Sequence, residues 1–210
     1  ERGVNTYIDG SHGGGRTATG SGPVTWYHDG SPAGIADLCG CMWEWVAGLR
    51  IVGGEIQIIP YGNSMKADCD MSAGSTEWKA IKPDGQFVNP GTPGTLHYDL
   101  VSGKIVIGTS TNSTFANNIP LSGLAAASGV SIPQIVKALG LMKDSADIYP
   151  ASGHQLYVNT DGERLPFRGS GFHSASFGGL GALDLNNARS YVYHNVSFRS
   201  AYDEKLATGN

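Results

Sequence analysis

Alternation of apolar and polar residues predicts a β-hairpin in the first third of the chain. Residues 42–50 have the strand pattern, Gly53-Gly54 is a typical two-residue turn, and residues 55–59 form the returning strand. The two-residue period of a strand places Trp43, Trp45 and Leu49 on one face and Glu44 and Arg50 on the other.

A second hairpin is predicted at residues 96–107, with Ser102-Gly103 at its turn. Residues 61–95, between the two hairpins, have the composition of a long polar connection around Trp78. Residues 109–128 are small and polar, and the sequence predicts a surface excursion there.

One helix is predicted after this excursion. Ser131 and Gln134 have the spacing of a capping box, Pro133 lies in the first turn, and Gly140 is a typical terminator. The apolar stripe of this helix consists of Ile132, Ile135, Val136 and Leu139.

The last sixty residues return to the strand pattern, at residues 155–158, 164–167, 182–185 and 196–201. A short strand is also predicted at residues 25–27, in a glycine-rich first segment. The expected fold class is therefore mixed α+β, with many short strands, few helices and much loop. We expect a single domain over residues 1–210 with a loop-rich insertion around residues 61–130.

Composition narrows the functional classes. Glycine accounts for 31 of 210 residues and charged residues for only 15%, which is typical of a turn-rich globular domain. The net charge of −4 argues against a nucleic-acid partner. Because no apolar stretch reaches eighteen residues and no signal peptide is recognisable, we expect no membrane insertion by this chain.

The titratable residues do not predict a metal or cofactor. Cys39, Cys41 and Cys69 lack a fourth zinc ligand, so packed or free thiols are favoured, although one of the first two could pair with Cys69. Asp68 and Asp70 lack the spacing of a calcium loop and are expected to be solvated. We expect no cofactor and no catalytic residue.

Residues 172–194 have a different composition, dense in aromatic, His, Ser and Asn residues and poor in charge. Tyrosine supplies contact area with few torsions to freeze, and serine and asparagine supply adaptable hydrogen bonds, as in antibody paratopes. The alternative is that the rings fill the core, since Tyr191 and Tyr193 would share a face of an extended strand. Composition alone supports both interpretations equally.

Two motifs resemble a known family. Residues 37–46 are similar to the Gly-Asn-Val-Trp-Glu-Trp motif of the C-type lectin fold of the formylglycine-generating-enzyme type. Residues 165–169, 183–190 and 195–201 resemble the last block of that family, Leu-Asn-Leu-Asn-Asn-x-Arg-Ser followed by Asn-x-Gly-Phe-Arg-Ser-Ala. Together they resemble the variable proteins of diversity-generating retroelements, many of which are carried by phages and prophages.

The resemblance implies a function in ligand recognition. In such proteins, adenine mutagenesis of selected codons diversifies a C-terminal binding face on a fixed scaffold. The corresponding variable region here is 168–201. The implied ligand-binding residues are His173, Ser174, Ser176, Phe177, Asp184, Tyr191, Tyr193 and His194.

The resemblance also implies partners, a location and scaffold roles. The expected partner is a protein or glycan on a target-cell surface, and the expected location is a phage tail tip or a bacterial or archaeal cell surface. An oligomer is compatible with this reading. The implied scaffold consists of Trp43 and Trp45 in the core, Phe198 on a buried terminal strand, and Arg168, Arg189 and Arg199 holding loops.

Two alternatives remain open at the level of sequence. The first is an oxidase of the formylglycine-generating type, but those enzymes use a C-terminal cysteine pair and this chain has no cysteine after Cys69. A non-enzymatic role is therefore expected. The second alternative is a purely structural virion protein with the aromatic segment buried at a subunit interface.

Overall fold

A computed structural model describes Val4 and residues 16–144 and 153–200, and most of its regular structure is β-sheet. Helical structure in this part of the chain is limited to α1, Gln134–Ala138, and four single 3-10 turns. A β-rich, loop-rich fold with few helices is thus confirmed. The strands are β1 Trp43–Trp45, β2 Leu49–Val52, β3 Glu55–Ile58, β4 Lys79–Ile81, β5 Phe87–Val88, β6 His97–Val101, β7 Lys104–Gly108, β8 Ala116–Pro120, β9 Ala125–Ala126, β10 Gln155–Asn159, β11 Glu163–Arg168, β12 Leu183–Asn187 and β13 Val196–Phe198.

The strands form one sheet whose main path is β8-β10-β12-β11-β2-β3-β6-β7-β9. Strand β11 joins the two halves of this path. Its first residues, Glu163 and Arg164, pair with β2, while Phe167 and Arg168 pair with both β12 and β1. The register shifts between Leu165 and Phe167, around Pro166, which has no N–H to donate to a neighbouring strand.

Both predicted hairpins are confirmed. Gly53 and Gly54 have positive φ between β2 and β3, and Ser102 and Gly103 have positive φ between β6 and β7. Two successive residues with positive φ match the right-handed twist of the flanking strands. The first predicted strand is broken, however, because Gly48 has a φ of +78° and separates β1 from β2.

Three segment predictions are wrong. Residues 61–95 contain β4 and β5, and residues 109–128 contain β8 and β9, so these segments contribute strands to the sheet. The sequence pattern missed them because β8 and β9 are built from small and polar residues whose pairing comes from distant strands. Residues 24–26 form a 3-10 turn rather than a strand.

The predicted helix is present but short. It starts after Pro133, and no side-chain hydrogen bond caps it, so the capping box at Ser131 is not formed. Its end is as expected: Gly140 has a φ of +62°, and the N–H of Leu141 donates to the carbonyl of Val136, the arrangement of a Schellman motif.

Two apolar clusters stabilise the sheet. The larger one includes the inner residues of both hairpins together with Leu156, Leu183 and Leu185. The smaller one contains Trp43 and Phe167, so the expected core position of Trp43 is confirmed, whereas Trp45 packs against this cluster and is only partly buried. The expectation for Phe198 is wrong, because β13 pairs only with β1 among the described strands and this ring is 78% exposed.

Arg50 is a buried charge in the centre of the β2–β3 hairpin. Its Nε donates to Gln57 Oε1 at 2.7 Å, and its Nη1 donates to the carbonyl of Ala73 at 2.9 Å and to Glu163 Oε1 at 2.8 Å. The guanidinium carbon lies 4.3 Å from the centre of the Trp78 ring. Burial of this cation is therefore compensated by hydrogen bonds and by an aromatic face.

We predict that Arg50→Ala lowers the free energy of unfolding by about 3 kcal/mol, because one partner of a buried ion pair is removed. Urea denaturation followed by circular dichroism measures this change. Lys104→Ala, at an exposed position of β7, is the control and should change stability by less than about 0.5 kcal/mol. A loss at Arg50 as small as that of the control would contradict a structural role for this network.

Candidate functional site

Three neighbouring strands form a platform on the face of the sheet opposite the larger core cluster. Asp184 of β12 lies between Tyr157 of β10 and Phe167 of β11 in the sheet register. Leu183 and Leu185 flank Asp184 in sequence and point into the core, as the two-residue period requires. The platform residues are thus free of the main core.

Two loops lie over this platform. The first, residues 172–177, includes a 3-10 turn and is held by a hydrogen bond from the Gly171 N–H to Ser174 Oγ at 3.1 Å. The second carries Tyr191 and Tyr193, whose ring centres are 6.1 Å apart. The Tyr191 ring packs on Phe167 with a centre-to-centre distance of 5.9 Å.

The platform and loops enclose a cavity of about 380 Å³. Six of the eight residues implied by the resemblance line it, although they come from three separate segments of the sequence. Phe177 and Tyr193 are about half exposed, at 54% and 51%, so these rings present apolar surface to solvent. The six residues are His173, Ser174, Phe177, Asp184, Tyr191 and Tyr193.

The other two residues lie beside the cavity. Ser176 is exposed on the same 3-10 turn as Phe177 but is not part of the lining. His194 is half-buried, and its ring lies 4.1 Å from that of Tyr193 and 6.2 Å from that of Phe172, measured between centres. His194 therefore supports the rim of the cavity rather than its interior.

Sequence reasoning missed part of the lining. Asn186 was within reach of prediction, because it follows Asp184 at the two-residue period of β12. Tyr157 comes to the site through the parallel pairing of β10 with β12, and no local sequence pattern predicts that pairing. The lining residues that were not predicted are Trp43, Tyr157, Phe167, Asn186, Asn187, Asn195 and Val196.

Among the residues that the structure describes, Asp184 is the only carboxylate that lines this cavity, and none of the lining residues is a Lys or Arg. Burial raises the pKa of Asp184 to about 6, against hydrogen bonds from Asn186 and Asn187 that lower it. The Asn186 N–H donates to Asp184 Oδ1 at 2.7 Å. Burial, with a contribution from the Asp184 charge, also raises the pKa of Tyr157.

Three arginines hold the surrounding loops, as the resemblance implied. Arg168 donates to the carbonyls of Leu139 and Gly140 at 2.8 and 3.0 Å. Arg189, where the chain leaves β12, donates two hydrogen bonds to the carboxylate of Glu163. The third pair, Arg199 with Glu44, joins the end of β13 to β1, again through two hydrogen bonds.

A larger cavity of about 820 Å³ lies around Trp45, Trp78 and Phe198. None of the eight implied residues lines it, and two of its three lining arginines already form ion pairs, Arg199 with Glu44 and Arg189 with Glu163. Size alone therefore does not make it the candidate site, and the smaller cavity has the better chemistry for recognition.

Other kinds of site are not evident in the described part of the chain. No group of three or more His, Cys, Asp or Glu residues there is arranged to hold a metal ion. Cys39, Cys41 and Cys69 are free thiols. None of the helices described is long and apolar enough to cross a membrane.

Comparison with known proteins does not identify a family. No protein-family model matches the chain, and no curated protein is significantly similar to it in sequence.

We predict that Asp184→Asn stabilises the protein at neutral pH. The folded state holds the Asp184 proton up to about pH 6, whereas the unfolded chain releases it near pH 4, so the wild type loses stability as pH rises through this interval. Urea denaturation should show a gain of up to about 3 kcal/mol near pH 8 that disappears at about pH 4. Asp161→Asn, at an exposed carboxylate, should show no such pH-dependent gain.

We predict that Arg189→Ala loosens the loop that carries Tyr191 and Tyr193, because its anchor to Glu163 is lost. Amide hydrogen exchange should become faster at Tyr191, whose N–H bonds to Ala188, while global stability falls by no more than about 1 kcal/mol. Arg164→Ala removes a pair on the β10–β11 turn and should leave this loop unchanged. Unchanged exchange in both variants would show that the ion pair does not order the loop.

Proposed function

We propose that this chain is a ligand-binding variable protein of a diversity-generating retroelement, with a C-type lectin fold of the formylglycine-generating-enzyme type. Its C-terminal face recognises a protein or glycan on a target-cell surface. The protein acts by binding alone and is displayed on a phage tail tip or on a bacterial or archaeal cell surface.

One observation carries the proposal. Eight positions of this chain correspond to diversified positions of the family that it resembles. Six of the eight line one cavity, although these six come from three segments of the sequence. Side chains that touch a common ligand must converge in this way, whereas rings that only fill the core would be buried. Phe177 and Tyr193 are instead half exposed.

The arrangement of the scaffold supports the same proposal. Along β12, Asp184 faces the cavity while Leu183 and Leu185 face the core. A residue at position 184 can therefore change without altering core packing, which is what a diversified face on a fixed scaffold needs. The ring of Tyr191 packs on the buried Phe167, so the face rests on a rigid base.

We predict that sequencing this gene across a population of its natural source will show substitutions concentrated at the codons of the six implied positions that line the cavity, all within residues 173–193. The core positions Leu183 and Leu185 and the loop anchor Arg189 should be spared, because changes there cost packing or loop order. Val192 is the internal control, since it lies between two lining tyrosines but is 88% exposed and outside the cavity. Rare and evenly spread substitutions would overturn the diversification part of the proposal.

A further inference from the structure

We propose that the cavity beneath Tyr191 and Tyr193 receives the positively charged side chain of an arginine or lysine on a protein ligand, with Asp184 as the counter-ion. This inference rests on the proposed function and names the chemistry that the face of this particular chain recognises. If position 184 is diversified, the specificity belongs to this sequence and not to the scaffold.

The charge of the cavity supports a cationic occupant. Asp184 forms no ion pair with any Lys, Arg or His among the described residues, and its hydrogen-bond partners are the neutral Asn186 and Asn187. A carboxylate that is removed from water without a cation is costly. A ligand that brings a positive charge would compensate this cost.

The walls of the cavity also suit a cation. Trp43, Tyr157, Phe177, Tyr191 and Tyr193 all contribute aromatic rings to the lining. The negative face of an aromatic ring attracts ammonium and guanidinium groups, most strongly where water is excluded. A cavity lined by several aromatic residues and one carboxylate favours a long side chain whose apolar stem and charged end both find partners.

A hydrogen-bond acceptor in the wall lacks a donor. Asn186 Oδ1 is buried and has no hydrogen-bond partner among the described residues, and Asn186 lines the cavity. Arginine and lysine side chains carry only donors, five on guanidinium and three on ammonium. A cationic side chain therefore brings the type of group that this amide oxygen lacks.

A neutral sugar fits these observations less well. Sugars also pack on aromatic rings, but their hydroxyl groups bring no charge to offset the buried carboxylate. The two ligand classes make opposite predictions for a variant that keeps the shape of Asp184 and removes its charge.

The test uses two blocked peptides, acetyl-Gly-Arg-Gly-amide and its glutamine counterpart, titrated into the 15N-labelled chain and followed by NMR. At about pH 7.5 the arginine peptide should shift the amide signals of Tyr191 and Tyr193 and bind at least tenfold more tightly than the glutamine peptide. Asp184→Asn should abolish this preference. Tyr191→Ala should weaken binding of the arginine peptide about tenfold, and Val192→Ala should leave it unchanged.

Lowering the pH gives a second readout. The titratable groups around Asp184 are Tyr157 from β10, Tyr191 and Tyr193 from the overlying loop, and His173 from the other loop. Since the pKa of Asp184 is raised to about 6, about nine tenths of it is protonated at pH 5, and affinity for the arginine peptide should fall about tenfold. His173→Asn should retain this fall, which would show that it does not come from protonation of the histidine.

Each outcome decides the inference. Equal affinity for the two peptides, unchanged binding in Asp184→Asn, or no shifts at the highest soluble peptide concentration would overturn the cationic ligand. A neutral oligosaccharide that binds wild type and Asp184→Asn equally well would overturn it in favour of a glycan. If population sequencing shows a diversified face while the arginine peptide fails, the proposed function stands and only this inference falls.

Discussion

The carboxylate of Glu163 connects the scaffold to the candidate binding face. On one side it accepts a hydrogen bond from Arg50, which is buried against Trp78 in the β2–β3 hairpin. On the other side it accepts two from Arg189, at the start of the loop that carries the two exposed tyrosines. Burial acts to raise the pKa of Glu163, but the hydrogen bonds and positive charges of the two arginines outweigh burial and lower this pKa. The side chain of Glu163 thus links the β2–β3 hairpin to the loop that carries Tyr191 and Tyr193.

Strand β11, which begins with Glu163, has the same connecting role in the backbone. It pairs with β2 in one half of the sheet and with β12 and β1 in the other. Between the residues that pair with β2 and those that pair with β1 lies Pro166, which has no backbone N–H to donate and which coincides with the register shift against β12. Because Phe167 follows this shift, its ring lies on the platform below Tyr191.

The pleat of the sheet separates residues of the larger core cluster from residues that line the candidate site. One face of β10 and β12 contributes Leu156, Leu183 and Leu185 to the core, and the other presents Tyr157 and Asp184 to the cavity. Side chains on the second face, such as Asp184, are therefore separate from the larger core cluster, although Tyr157 packs against the smaller one. The partly buried carboxylate of Asp184 has a cost, because its raised pKa means that the folded protein is less stable at neutral pH than it would be with a neutral residue there.

Local sequence determined the turns and the helix end, because each of these depends on the backbone preferences of one or two adjacent residues. Gly53-Gly54 and Ser102-Gly103 specify their hairpins because only a few residue types accept positive φ, and Gly140 ends the helix for the same reason. The composition of residues 172–194, in contrast, is compatible both with a recognition surface and with aromatic rings that fill the core.

Tertiary structure alone decided which of these residues meet. Distant segments of the chain are joined by three strand pairs, β8 with β10, β10 with β12 and β7 with β9. Local sequence therefore predicts neither the strands at residues 109–128 nor the position of Tyr157 at the cavity. The same holds for Phe198, which a sequence motif placed in the core but whose ring is exposed on β13, a strand that pairs only with β1 among the described strands. The alternation of side chains determines which residues share a face of a strand. Whether that face is buried depends on the strands and loops that pack against it, and the alternation does not show which ones these are.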